Sequence, residues 1–246
     1  MTPPVFWCER QRLLGDRITL TGAEGRHATT VRRLRPGERA DLTDGAGLIA
    51  ECEVVAARRG PGELDLAVLT RRTEPEPRCP LTVVQAILKG DRGELAVELM
   101  TEVGADMIVP WAAERCVARW PAGREDKALA RWRSAALAAG KQSRRGRFSA
   151  VTAQERLAAV AQRVRDAALA VLLDPQSDSP LSALALPDEG GIVLIVGPEG
   201  GCTEAEEAAL TGAGAVRARL GPTVLRGSTA GAVAAALVLS ASGRWA

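Results

Sequence analysis

The stretch IVLIVGPEGGCTEAEEAAL, Ile192 to Leu210, decides the fold. Five apolar residues, enough for a buried strand, stop at Gly197-Pro198-Glu199-Gly200-Gly201 and give way to an acidic, alanine-rich helix. Strand, glycine turn and helix form the repeating unit of an open α/β sheet, whose ligands bind outside the carboxyl ends of the strands. The glycines permit positive φ and clear side chains from a ligand's path. Thr203 and Glu206 have the spacing of a capping box, which fixes where the helix begins. The turn is neither a Walker A loop nor a GxGxxG fingerprint, and Glu199 would repel a phosphate. A neutral or cationic ligand suits it, although such a turn alone is more often a plain connection.

Working outward, the same texture fills the chain from Leu81 onward. LTVVQAIL, MIVP, LAVLL and VRARL read as short strands. Between them, helices are expected over KGDRGELAVELMTEVGA, with Leu95, Leu99 and Val103 at helical spacing, and over REDKALARWRSAALAAG. A further helix, TAQERLAAVAQRVRDA, has Thr152 and Glu155 at capping-box spacing. Alternating strands and helices predict an α/β domain with a mainly parallel sheet. Residues 1–72 differ. DRITLTG, ADLTDGAGLIAECEVVAA and GELDLAVL alternate apolar and polar residues, around one helix in AEGRHATTVRRLRPGE. Pro75, Pro77 and Pro80 make the following segment a linker, so the expected domains are 1–72 and 79–246.

Two more loops sit at strand ends. LLDPQSDS offers Asp174 and Pro175; RLGPTVLRGSTAG, Arg219 to Gly231, precedes an apolar helix. Ser228 or Thr229 is placed to cap that helix. Arg226 beside so apolar an element is expected to be costly unless it meets an anion. The two glycine-rich loops, taken at adjacent strand ends, point to a pocket.

Composition narrows the chemistry. Net charge is only +2, yet Arg115 to Arg147 holds ten basic residues against Glu125 and Asp126, so charge is segregated. A charge run is usually a solvated face. GKQSRRGR, with Lys141, Arg144, Arg145 and Arg147, has instead the make-up of a phosphate-backbone contact. Arg26, Arg32, Arg33 and Arg35 form a second basic surface for nucleic acid. The aromatic fraction of 3% argues against a base-stacking platform. His27, the only histidine, is expected to be structural, and five scattered cysteines indicate neither metal site nor disulfide scaffold. The start carries no signal core and no run is long enough to span a membrane, so a soluble, cytoplasmic protein is expected.

Taken together, LIVGPEGGCTEAE and RLGPTVLRGSTAGAVAAAL resemble the knotted SPOUT superfamily, and within it the bacterial 16S ribosomal RNA uracil-N3 methyltransferases. HATTVRRLRPGE with DGAG resembles that family's PUA-like module, while ILKGDRGELAVELMTEVGADMIVPWAAERC and AGKQSRRGR resemble its central motifs, so the likeness spans nearly the whole chain. It implies a SPOUT-type α/β knot with a mainly parallel sheet, plus a small N-terminal β-rich PUA-like domain. It implies S-adenosylmethionine as cofactor, 16S rRNA or the small ribosomal subunit as substrate, and a homodimer. The cofactor-binding positions it implies are Val196, Gly197, Pro198, Glu199, Gly200 and Gly201 in one loop, and Leu220, Gly221, Leu225, Arg226, Thr229 and Ala230 in the other. Arg226 is the expected catalytic residue; Glu102 and Glu199 are possible proton acceptors. Leu99 and Ser228 depart from the Lys and Glu common in the family, as one lost ion pair. A knotted enzyme acting on a ribose 2′-hydroxyl or a guanine, and a non-enzymatic assembly factor, stay open as alternatives.

Overall fold

Short alternating strands dominate the first part of the chain in the computed structural model, which describes residues 2–121 and 123–245. In order they are β1 (Val5–Trp7), α1 (Arg10–Leu13), β2 (Arg17–Leu20), α2 (Gly22–Arg26), β3 (Arg39–Thr43), β4 (Leu48–Arg58) and β5 (Glu63–Thr73). A π-helical turn, His27–Val31, continues α2. The sheet order is β1-β3-β4-β5-β2, antiparallel except for the β1–β3 pair. Alternation buries one face, with Phe6, Leu20, Leu42, Leu64 and Leu66 in the core. Register shifts after Glu51 and after Val54 let this small sheet curl.

The chain divides into two compact units. The first comprises Met1–Glu76 together with Gly140–Phe148, the second Pro77–Ala139 and Ser149–Ala246. The basic loop is thus part of the first unit, whereas the sequence placed it in the second domain. Backbone bonds hold it there: Phe148 N–H donates to Gly45 O at 2.9 Å and Gly47 N–H to Gly146 O at 3.0 Å.

The second unit runs β6 (Leu81–Ala86), α3 (Arg92–Val103), β7 (Met107–Trp111), α4 (Glu125–Gln142, its last residues in the first unit), β8 (Ala150–Val151) and α5 (Leu157–Asp166). It continues with β9 (Leu169–Leu173), β10 (Ile192–Val196), α6 (Glu204–Gly212), β11 (Val216–Ala218) and α7 (Gly227–Ala241). Its six strands lie in the order β11-β9-β10-β6-β7-β8, all pairs parallel. Every residue of β10 is buried, as expected of a strand covered on both faces.

Return of the C-terminal chain is the distinctive step. After β11, Arg219 is held by the long β9–β10 connection: its N–H donates to Ser179 O at 2.9 Å, and Leu181 N–H donates to Arg219 O at 2.8 Å. The chain then turns back, and α7 packs on α3, β6 and β10.

Several local expectations are corrected. Thr203 and Glu206 do form the capping box of α6. Thr152 and Glu155 do not: α5 starts five residues after Thr152, with Arg156 in the cap position, and Glu155 instead pairs with Arg163 at 2.6 Å. Neither Ser228 nor Thr229 caps α7, because Arg226 holds the cap position and Ser228 is buried inside the first turn. On α3 the fully buried face is Ala96, Val97 and Met100; of the three spaced residues, Leu99 and Val103 pack part-buried against the core, while Leu95 is 44% exposed. Among the described residues, no helix is long and apolar enough to cross a membrane, and no group of three or more His, Cys, Asp or Glu could hold a metal.

Candidate functional site

Three strand ends converge on one cavity of about 230 Å³ in the second unit. From the end of β9 come Leu172, Leu173, Asp174 and Pro175. The β10 loop supplies Val196, Gly197, Pro198, Glu199 and Gly201, and the chain after β11 supplies Leu220, Gly221, Leu225 and Ala230. The glycine loops are not on adjacent strands, since β9 lies between β10 and β11. The β9 loop therefore fills the middle of the site, and Asp174, absent from the expected cofactor-binding positions, becomes one of its charged groups. Position at a strand end was the signal for it.

Gly201 adopts φ +73°, a left-handed conformation open to glycine at little cost, and closes the turn with its N–H on Pro198 O at 2.9 Å. Gly200 faces elsewhere, against the backbone and Cβ of Arg115, where a side chain would come within 3.3 Å. Thr229 and Arg226 do not line the cavity either. Thr229 N–H donates to Arg226 O within the first turn of α7. Arg226 is exposed, so no burial penalty demands an anion and that expectation is corrected. It stands ahead of the apolar stretch, between Leu225 and Gly227, both of which line the cavity.

The charged groups lining the cavity are Asp174, Glu199 and Glu207, all acidic. Arg217 holds Asp174 from the side, its Nε 2.7 Å from Oδ2, and approaches Glu207 at 3.9 Å. Cys202 also lines the cavity; burial above all, then the nearby Glu206, Glu207 and Asp174, pushes its thiol up to about 12. It is fully protonated near neutrality and offers no thiolate nucleophile. Aliphatic walls, bared backbone and carboxylates without a lining cation fit a ligand that joins an apolar ring system to a positive charge, and they repel a polyphosphate.

The other expected surfaces lie in the first unit. Arg26, Arg32, Arg33, Arg35 and Arg144 are exposed. Lys141 is engaged by Glu24 at 2.6 Å, and Arg147 donates to Glu74 O at 3.0 Å. Arg145 is half-buried, with interactions of its own. His27 packs edge-on against Phe6, centroids 5.7 Å apart, far in sequence from any cavity-lining residue. Glu102, on α3, is exposed and lines none of this cavity.

An all-parallel sheet, a ligand cavity at three strand ends and a C-terminal helix returned behind a long connection define the knotted α/β class, the SPOUT fold. The sequence matches the RNA methyltransferase domain over residues 74–239 and the RNA methyltransferase PUA domain over residues 20–66. The chain belongs to the RNA methyltransferase domain family. It is 45% identical over 249 residues to a Mycobacterium tuberculosis protein named ribosomal RNA small subunit methyltransferase E, covering 100% of this chain and 94% of that one. A Bacillus subtilis protein of the same name is 29% identical over 220 residues, 87% of this chain and 86% of its own. A crystal structure of a ribosomal RNA small subunit methyltransferase E from Neisseria gonorrhoeae, bound to S-adenosyl methionine, aligns with a TM-score of 0.85 at 28% identity, covering 98% of each chain.

Proposed function

We propose that this protein methylates N3 of one uridine in 16S rRNA, using S-adenosylmethionine held in the β9–β10–β11 cavity. The observation that carries the reading is the cavity's charge: three carboxylates and no lining cation. When bound, S-adenosylmethionine supplies an electrophilic methyl on a sulfonium cation. Glu199, Asp174 and Glu207 favour that positive charge, while Leu172, Leu173 and Leu225 provide apolar surface for a flat base. Such a site has little to do beyond alignment and exclusion of water. Methylation at C5 of uracil, which begins with a protein thiolate adding to C6, is unsupported here, because Cys202 stays protonated.

N3 lies on the Watson–Crick edge, so the target base must be unpaired or flipped out. In this reading Arg226, exposed at the cavity's edge, orients the base or stabilises the negative charge that develops as the N3 proton leaves. Arg226→Ala should therefore leave thermal unfolding unchanged and lower turnover by about 10² or more, the scale of one lost electrostatic stabiliser. Turnover at the wild-type rate in that variant would remove the assignment. A homodimer is part of the same reading, supported by apolar surface on the second unit: Leu237 of α7 is 38% exposed and lies with Leu181, Leu184 and Leu186 along one groove.

The deciding experiment incubates the protein and S-adenosylmethionine with small ribosomal subunits that lack the modification, then maps reverse-transcription stops on 16S RNA. A methyl on N3 blocks pairing, so one new strong stop at a uridine is expected. Methyl incorporation without a stop would transfer the reading to a ribose 2′-hydroxyl or to another base methylated away from its pairing edge.

A further inference from the structure

A second cavity, of about 490 Å³, opens in the same unit and shares no lining residue with the first. The two lie beside the first turn of α6, where Glu207 lines one and its neighbour Glu206 the other. Three features of the second cavity lack a role in cofactor binding. Trp120 is half-buried and fixed edge-to-face against Trp132, centroids 5.5 Å apart at 86°. Gln154 contributes a buried Oε1 that has no hydrogen-bond partner among the described residues. Arg119 and Arg156 line the cavity yet are exposed, which places them towards solvent.

An unmet buried acceptor is costly, about 1–3 kcal/mol, unless the occupant brings a donor. An aromatic face calls for a flat ring, and guanidinium groups at a mouth call for phosphate. Glu114, Glu125 and Glu206 also line the space, so a wholly anionic ligand is disfavoured inside. Glu206 is already committed, accepting from Glu114 N and Thr203 N at 2.8 Å each, and Glu114 and Glu125 are exposed to solvent. That leaves Gln154 Oε1 as the buried acceptor without a partner among the described residues.

We infer that this cavity receives one unpaired nucleobase of the RNA substrate, stacked by Trp120, donating an N–H to Gln154 Oε1, with its phosphate at Arg119 and Arg156. The inference rests on RNA being the substrate and adds a second RNA subsite next to the cofactor cavity.

The test is saturation-transfer NMR on the full-length protein with the four nucleoside 5′-monophosphates, S-adenosylmethionine being present in excess to fill the first cavity. Transfer to the base protons of at least one nucleotide is expected, with affinity about tenfold weaker in Gln154→Leu, the scale of one hydrogen bond to a buried acceptor. Trp120→Ala should act likewise, and a single-stranded RNA oligonucleotide should displace the signal. Calorimetric binding of S-adenosylmethionine and the circular dichroism of Gln154→Leu should match wild type. Absence of transfer from all four nucleotides, or transfer unchanged in Gln154→Leu, overturns the site. A signal that RNA fails to displace overturns its assignment to the RNA substrate. Failure of the wild type to bind S-adenosylmethionine would strike the proposed cofactor instead, and UMP and CMP would still decide this cavity.

Discussion

Glu199 is the carboxylate that the glycine turn carries into the cavity, and no ion pair engages it among the described residues. Asp174 differs, being held by Arg217, which leaves Glu199 the freer negative charge for a cationic ligand. Glu199→Gln should weaken S-adenosylmethionine about tenfold, near 1.4 kcal/mol for one charge-assisted contact. S-adenosylhomocysteine, whose sulfur is neutral, should lose less. Calorimetric titration of both ligands measures the ratio, and an equal loss for the two would deny the charge argument. His27 gives a second residue-scale test, in the first unit. Burial lowers its pKa below the usual 6.5, Lys141 and Arg32 lower it further, and Glu24 opposes them. The folded protein thus resists a proton that the unfolded chain accepts. Stability from this residue is complete above pH 6.5 and declines as pH falls from there through the lowered folded value. Urea midpoints should drop between pH 7 and pH 5.5 in wild type and drop less in His27→Gln.

Elements show where sequence reasoning reaches and where it stops. The β10–α6 unit was legible because apolar run, glycine turn and capping box are local and mutually consistent. Thr152 and Glu155 carry the same capping-box letters without the cap, since Glu155 N–H bonds to Pro110 O and its carboxylate to Arg163. Tertiary partners outbid the local motif. On α3 the spacing of Leu95, Leu99 and Val103 marked the edge of the buried face: Leu99 and Val103 pack against the core part-buried and Leu95 is exposed, while Ala96, Val97 and Met100 form the face that is fully buried. Strand order, which sets β9 between the two glycine loops, is non-local and left no trace in any one segment. Close packing on α7 has a measurable consequence at Gly231. A Cβ there would stand 2.7 Å from Met100 Sδ and 3.3 Å from Val83 Cγ1. Helix propensity favours alanine over glycine by about 1 kcal/mol, while overpacking costs about 1–3. Gly231→Ala should come out near neutral, and Gly231→Val, bulkier and β-branched, should lose about 2 kcal/mol or more in urea denaturation.

At the scale of the whole molecule, the basic loop Gly140–Phe148 and the N-terminal arginines belong to one unit, so they offer RNA one body's worth of positive charge. The cations on that unit are not equivalent. Lys141 spends its charge on Glu24, and both side chains are largely buried, so its removal strands an acid and should cost stability. Arg144 is exposed in the left-handed region at φ 60°, which presents its side chain from a tight turn. Asparagine tolerates that conformation, so Arg144→Asn isolates the charge from the backbone. If RNA lies on this unit, Arg144→Asn should weaken binding of a small-subunit RNA fragment and reduce the slope of log K against log salt by about one contact, with the melting temperature unchanged. Lys141→Met should lower the melting temperature and leave that slope nearly intact. Fluorescence anisotropy over a range of salt concentrations, run beside thermal melts, separates the two. A slope that responds to Lys141 and ignores Arg144 would assign the RNA contact to the residue now paired with Glu24, and would require that ion pair to open on binding.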